Sequence, residues 1–404
     1  MKNVVLLTID TLRKDVLGCY GGAPKLTPFM DSIQDRLIRF ERPYSTGSYT
    51  QSGFPGILTS SYYLDYGYPK EKKFNPNRTL ISEPLQRHGI TTAAFHSNAY
   101  LCGYFGWNRG WKRFYDSMEE EVTDQRPYIE APLLNSKVAE WLEKQRGTEQ
   151  RIFMWVHYMD VHEPYVPPRK YVDIIDPEIR LSEDEMFALF KNSLLKRDVS
   201  DSATVELLKK LYLAGVRKAD DYVKEFFDIL RRNDMLEDTV IIITADHGDE
   251  FGEHGGLSHD GKMYSELVNV PLLIYDPSLK KGVVSPTPVS TVDIPPTILS
   301  LFGLEPVERF QGRSLLPLDS NSGRDIYAEA VDKRGEREKG DEKPVYMLCE
   351  GNLKIMYWEG PQKWELYDLQ DDPRETRNII GESDQSARMK QKLQPRVRRW
   401  ENKI

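Results

Sequence analysis

An α/β fold with a mostly parallel central sheet sandwiched by helices is what two patterns in this chain predict. Five short aliphatic runs, Val4 to Ile9, Thr91 to Phe95, Arg151 to His157, Val240 to Thr244 and Val270 to Ile274, are continuous rather than alternating in hydrophobicity, the pattern of strands buried on both faces. Leu134 to Lys144 and Leu207 to Arg231 carry apolar residues at the three-to-four spacing of covering helices. A third observation concerns where the runs stop. Asp10 follows the first, His157 closes the third, and Asp246 and His247 follow the fourth almost at once. Open parallel sheets place their sites beyond the carboxyl ends of the strands, so Asp10, Asp246 and His157 are expected along one edge.

The opening run, Val4 to Ile9, is too short for a signal peptide or a membrane span. Ser48-Tyr-Thr-Gln-Ser52 is rich in hydroxyls suited to a helix start. In Thr244-Ala-Asp-His-Gly-Asp-Glu-Phe-Gly-Glu-His254, Gly248 and Gly252 let the backbone turn sharply after the strand. Residues 291 to 303 read as a helix with Asp293 near its start and Gly303 as its stop. After Pro317 the character changes: Asp332 to Lys343 is charged and nearly devoid of apolar residues, an expected exposed loop. Val345 to Leu348 and Leu353 to Trp358 read as a small antiparallel sheet, with a helix around Gln385 to Trp400. Two units are therefore expected: a large one over residues 1–317 and a small C-terminal α+β subdomain over 318–404.

Bulk properties narrow the partners. At 404 residues and 39% hydrophobic content the chain buries a large core. A net charge of −8 with both signs interspersed offers no broad basic surface, which disfavours nucleic acid and anionic membranes. An anionic small molecule must then be drawn in by local cations or a metal. Cys19, Cys102 and Cys349 are widely spaced without a Cys-x-x-Cys pattern and read as ordinary thiols of a reducing compartment. With no run approaching twenty apolar residues, the default expectation is a soluble cytoplasmic protein with no membrane span. Oligomeric state is left open.

Four segments carry chemistry: Asp10 with Thr11-Leu12-Arg13-Lys14-Asp15, Thr50 in Ser48 to Ser60, His157-Tyr-Met-Asp-Val-His162-Glu-Pro-Tyr165, and Asp246 to Lys262. In this order and spacing they resemble the sulfatase branch of the alkaline phosphatase superfamily over nearly the whole chain. The resemblance extends to Gly261-Lys262-Met-Tyr264 with Val270-Pro271, to Asp293-Ile-Pro-Pro296-Thr297, to Gln311-Gly312-Arg313-Ser314-Leu315, and to Glu365-Leu-Tyr-Asp-Leu369 with Asp372-Pro373 and Asn378. It implies the alkaline phosphatase-like fold and a metal-dependent ester hydrolase.

The departures from the family pattern set the chemistry. Formylglycine sulfatases carry Cys or Ser in Cys/Ser-x-Pro-x-Arg; here Thr50 stands at the nucleophile, Ser52 at the proline and Phe54 at the arginine. Thr50 cannot become formylglycine. Thr11 replaces the second of the family's paired aspartates, leaving Asp10, Thr50, Asp246 and His247 as the implied metal set. Mixed oxygen and nitrogen donors fit Zn²⁺ or Mn²⁺ better than Ca²⁺ or Mg²⁺. A threonine sulfate would have to be cleaved by water at sulfur, whereas a phosphothreonine is opened by a second in-line displacement. The reading is therefore a hydrolase of phosphoric or sulfuric esters acting through a covalent intermediate on Thr50, with phosphomonoester or phosphodiester favoured over sulfate. Lys262, His162 and His259 are implied around the non-bridging oxygens and leaving group, one histidine as general acid, with a second metal at His162 or His259 left open. Asn98 is a further, weaker substrate-facing candidate. A transferase resembling phosphoethanolamine transferases and a metal-binding module with a decayed nucleophile stand as alternatives, the latter prompted by Phe54.

The same residues have plainer readings. Thr50 suits a helix start, Asp10 a helix cap, and His157 a hydrogen-bonded core histidine. His96 and His254 read as structural or solvent-exposed, and Arg13 with Asp15 as a surface pair of little energetic weight.

Overall fold

The computed structural model describes residues 3–66, 73–116, 120–196, 199–318, 323–332, 343–382 and 384–401. The strands in chain order are β1 Asn3–Ile9, β2 Leu37–Tyr44, β3 Thr91–His96, β4 Arg113–Tyr115, β5 Ile152–Tyr158, β6 Thr239–Thr244, β7 Glu250–Phe251, β8 Leu257–Ser258, β9 Leu272–Tyr275, β10 Val283–Ser290, β11 Ile326–Asp332, β12 Lys343–Glu350, β13 Leu353–Trp358 and β14 Lys363–Asp368. The main sheet has the order β10-β2-β9-β6-β1-β5-β3-β4. Every neighbouring pair in it is parallel except the two made by β9, which runs against both β6 and β2. The fifth aliphatic run is thus the one antiparallel member of the sheet. Strand β10 carries Pro286 and Pro288 and a register shift between Ser285 and Pro288, tolerable because it lies at an edge.

Burial explains the uninterrupted hydrophobic runs. Along β1, Val5, Leu7 and Ile9 enter one core while Val4 and Leu6 enter the other, so both faces of the sheet are dry. Helix Ser202–Arg232 seals the first face with Leu208, Leu211, Val216, Val223, Phe226 and Phe227. Helices Thr50–Thr59 and Ile294–Leu301 seal the second with Phe54, Ile57, Leu58, Ile294 and Ile298. Gly303, at φ 70°, ends the latter helix as its position predicts.

A separate four-stranded antiparallel sheet, β11-β12-β13-β14, packs with helix Ser386–Glu401. Its apolar face shares a core with Tyr44, Tyr49, Met263 and Leu267 of the large unit, so the small sheet is seated on the segments flanking the site. Of the loop expected over Asp332 to Lys343, residues 333–342 lie outside the described residues, while Asp332 and Lys343 belong to strands.

Candidate active site at the carboxyl ends of the strands

Register brings the expected groups together. In the sheet Thr8 stands opposite His157 on one side and Thr244 on the other, so Asp10 and Asp246 emerge beside each other just past the strand ends. Thr50 approaches from the second face in the first turn of its helix, where the positive end of the helix dipole favours an anion. Ser52, at the family's proline position, anchors that turn: its Oγ accepts from the backbone N–H groups of Ser48 (3.1 Å) and Tyr49 (3.2 Å). Gly53 lets the helix come close, since a Cβ there would lie 3.1 Å from the Asp246 carbonyl carbon and nearer still to its oxygen.

The cluster is fully buried apart from a small exposure at Thr50. Thr50 Oγ1 lies 3.5 Å from His247 Nε2, and Asn98 Nδ2 donates to Asp10 Oδ2 (3.0 Å) and toward Thr50 Oγ1 (3.4 Å). His247 Nε2 is 3.4 Å from Asp10 Oδ1 and 3.5 Å from Asp246 Oδ2. His247 Nδ1 faces the Gly248 carbonyl at 2.9 Å and must donate its hydrogen there, which leaves Nε2 with a free lone pair aimed at the carboxylates.

The donor chemistry fits a divalent cation. Asp10, Asp246 and His247 each offer an atom within 4.8 Å of the others, and Asp10 Oδ1 and Asp246 Oδ2 are buried without a hydrogen-bond partner among the described residues, an arrangement that leaves them costly unless a charge satisfies them. Asp246 is pushed well above the carboxylate range by burial and by the Asp10 charge. Burial acts on Asp10 in the same direction, but His162, His157 and His247 outweigh it and hold Asp10 ionised far below its ordinary range. Burial and the neighbouring His259 drive His247 down to about 3, so it stays neutral. Thr11 follows Asp10 with its Oγ1 buried and without a hydrogen-bond partner among the described residues, and its backbone sits at φ 56°, a costly position for a β-branched residue of the kind that gathers at functional sites.

The remaining histidines sort by partner. His157 serves the site from behind: Nε2 meets Asp10 Oδ2 at 3.2 Å and Nδ1 meets Thr8 Oγ1 at 2.8 Å, while Trp155 Nε1 donates to the same hydroxyl (3.0 Å). Phe54 packs edge-on against that imidazole with ring centroids 4.9 Å apart, so the arginine position holds a prop for the ring that orients Asp10. His259 lies 4.4 Å from the His247 ring and 5.2 Å from that of His162, by ring centroids. His162 gives its Nδ1 hydrogen to the Glu163 carbonyl (2.6 Å); burial lowers its pKa, but Asp10, Glu163 and Asp249 raise it on balance. His96 is stacked on Trp155, and burial drives its pKa down to about 3, as befits a structural residue.

Packing turns two long side chains inward. Lys262 is almost fully buried, and among the described residues its ammonium bonds Glu250 Oε2 (2.5 Å) and the His254 carbonyl (3.1 Å). Arg13 is no surface residue: it is buried and donates to Asp15, to Glu253 (2.8 Å) and to the Asp249 carbonyl (3.0 Å). Asp249 itself was missed by sequence reasoning. It is fully buried between Tyr165 OH (2.7 Å) and His259 Nδ1 (2.8 Å), and the signal was its place two residues after His247, in the turn that leaves β6.

This fold is that of the sulfatase branch of the alkaline phosphatase superfamily. Residues 2–304 match the sulfatase family, and residues 252–403 match the C-terminal domain of N-sulphoglucosamine sulphohydrolase. The chain belongs to the sulfatase family and is an ester hydrolase. Among curated relatives it is similar to the N-acetylglucosamine-6-O-sulfatase of Bacteroides thetaiotaomicron, 23% identical with 97% of this chain and 85% of that protein covered. A choline-sulfatase of Rhizobium meliloti is 30% identical over 64% of this chain and 52% of its own. Among solved structures, one in complex with its substrate D-glucosamine-2-N,6-O-disulfate superposes with a TM-score of 0.80 at 21% identity, covering 99% of this chain and 98% of the other. The phosphonate monoester hydrolase of Agrobacterium radiobacter gives 0.79 at 18% identity, covering 100% and 96%. Among the described residues no helix is long and apolar enough to cross a membrane.

Proposed function

We propose that this chain hydrolyses phosphoric esters, monoester or diester in preference to sulfate, through a covalent intermediate on Thr50. The observation that carries the reading is the Thr50 hydroxyl in the cluster of Asp10, Asp246 and His247, 3.5 Å from the free lone pair of His247 Nε2. Asp10, Asp246, His247 and Thr50 would hold a divalent cation, Zn²⁺ or Mn²⁺ by their mix of donors. Such an ion supplies positive charge that lowers the pKa of a hydroxyl beside it and offsets charge gathering on the transferred group. Thr50 Oγ1, its proton released to solvent, then bonds to phosphorus while the ester P–O bond on the far side breaks with its electron pair on the departing oxygen, and water opens the phosphothreonine from the vacated side, returning the electron pair of that bond to Thr50 Oγ1. Asn98, donating toward Thr50 and Asp10, keeps the nucleophile and the carboxylate in register.

The relatives support hydrolysis of oxyanion esters as a class, since they include sulfatases and a phosphonate monoester hydrolase by name. Phosphorus is preferred here because threonine lacks the aldehyde hydrate through which formylglycine expels sulfate. Phe54 has a packing role against His157, which accounts for that position without invoking decay of the site. The test is turnover of nitrophenyl phosphate, a bis-nitrophenyl diester, a nitrophenyl phosphonate and nitrophenyl sulfate, each with Zn²⁺, Mn²⁺, Ca²⁺ and Mg²⁺. Faster cleavage of the sulfate than of every phosphorus ester would refute the preference, and no turnover of any would favour a binding module.

A further inference from the structure

Among the buried carboxylates that follow β6 and take no part in the nucleophilic step, Asp249 is the one in contact with His259. Asp249 is fully buried, and each of its oxygens is engaged by a different segment: Oδ2 accepts from the Tyr165 hydroxyl at 2.7 Å, and Oδ1 lies 2.8 Å from His259 Nδ1. Its own backbone carbonyl is fixed by Arg13 Nη1 at 3.0 Å. Tyr165 is buried among Tyr212, Phe190 and Phe251, so the anchor at the start of this chain of contacts is rigid. At its other end the His259 ring is partly exposed and lies against His247, the residue next to Thr50.

A carboxylate accepts and an imidazole nitrogen facing it donates, so this contact fixes the hydrogen of His259 on Nδ1. The Ser258 hydroxyl, 3.3 Å from the same nitrogen, is the more distant neighbour. We propose that Asp249, held by Tyr165, is the positioning residue that sets His259 as the proton donor to the leaving group, with Nδ1–H turned inward and Nε2 on the reacting side. This rests on the phosphoryl-ester reading. As the P–O bond to the leaving group breaks, its electron pair stays on the departing oxygen and takes the proton from His259 Nε2; Nδ1–H remains on Asp249. When water attacks the phosphothreonine, Nε2 takes a proton back from that water. The carboxylate keeps the ring oriented.

Asp249→Asn makes the idea testable because it keeps the shape and reverses one contact. The Tyr165 hydroxyl must donate and claims the amide oxygen, leaving the amide N–H₂ to face His259 and drive the hydrogen to Nε2. General acid catalysis contributes on the order of 10²–10⁴-fold, and most for poor leaving groups. The expected result is a loss of about 100-fold or more in kcat on phenyl or alkyl phosphate but only a few-fold on nitrophenyl phosphate, with metal content unchanged. Tyr165→Phe, which removes the donor on Oδ2 and loosens Asp249 while leaving Oδ1 on His259, shows the same bias with a smaller loss. Nitrogen-15 spectra of histidine-labelled protein give a readout independent of turnover: His259 carries Nδ1–H in the wild type and Nε2–H in Asp249→Asn. Equal losses on all leaving groups, an unchanged tautomer, or loss of a metal equivalent in Asp249→Asn overturns the proposal. If the wild type cleaves none of these esters, the functional reading fails, and the tautomer alone decides what Asp249 does.

Discussion

Gly53 is where a single methyl group separates activity from stability. The helix that carries Thr50 packs its Gly53 onto the backbone of Asp246, and a Cβ there would lie 3.1 Å from the Asp246 carbonyl carbon, 3.2 Å from Ser45 Oγ and nearer still to the carbonyl oxygen. Ordinary carbon contacts lie at about 3.5–4.0 Å, so Gly53→Ala pushes helix and strand-end turn apart by roughly 1 Å. Neither side yields cheaply: the turn is tied by Ser45 Oγ donating to the Asp246 carbonyl, and Phe54 is wedged against Trp155 and His157. Overpacking of this kind costs about 1–3 kcal/mol. Alanine in a helix interior returns about 1 kcal/mol over glycine, so the net loss of stability is at most about 2 kcal/mol. Catalysis fares worse, because Thr50 moves away from His247 and Asp246, and a displacement of about 1 Å costs on the order of 100-fold in rate. The assay is kcat on the best substrate of the panel beside urea denaturation of the same preparation. A folded Gly53→Ala enzyme with wild-type kcat would show that the spacing between this helix and the Asp246 turn does not govern the chemistry.

Other perturbations probe the remaining parts. Thr50→Ala keeps its fold, since the side chain is small and at the cluster rather than in the core, but loses on the order of 10³-fold or more in kcat; turnover at wild-type rates would remove Thr50 from the mechanism. Asp246→Asn leaves less metal bound after dialysis, measured by elemental analysis, and an unchanged content would contradict its assignment as ligand. His157→Ala, which deprives Asp10 of its support, lowers metal affinity by roughly 10–100-fold in the manner of outer-shell partners, read by titration with a competing chelator. His254 sets a pH dependence of stability: burial lowers its pKa, but Glu266 (2.6 Å from Nδ1) and Glu375 raise it on balance above 6.5. A raised histidine pKa stabilises the fold below the unfolded value, and that contribution fades as pH climbs through the folded one. Denaturation midpoints of His254→Gln should therefore fall less than wild type's over that range, and parallel curves would refute the assignment.

Much of the site was legible because parallel strands deposit their succeeding residues at one edge. Asp10 and the Asp246-His247 pair were readable from aliphatic runs that end in carboxylate and imidazole groups, and the sheet register delivers them side by side. His157 was ambiguous for a physical reason: a strand residue near the end of a buried run can face core or site, and this one faces both, with one nitrogen on Thr8 and the other on Asp10. Asn98 was hard to weigh because an amide after a strand carries little signal, yet it reaches two members of the cluster. Long side chains were the least readable. Lys262 and Arg13 are flexible enough that sequence position does not fix where their charges land, and both turned inward to carboxylates supplied by the turn after β6. The missing β2, β4 and β10 are explained by their composition: β2 and β10 hold charged residues or prolines, and β4 is three residues long.

The turn between β6 and β9 is fastened at two places. Its start supplies Asp246 and His247, while further on His254 Nε2 meets the Glu375 carbonyl (3.2 Å), Ser265 N–H donates to Glu375 Oε2 (2.7 Å) and the Tyr264 hydroxyl donates to Glu365 (2.9 Å). His259 hangs between these fastenings like a bead on a string tied at both ends. The small C-terminal unit thus shares in fixing the segment that carries His259, through contacts made far from Thr50 in sequence.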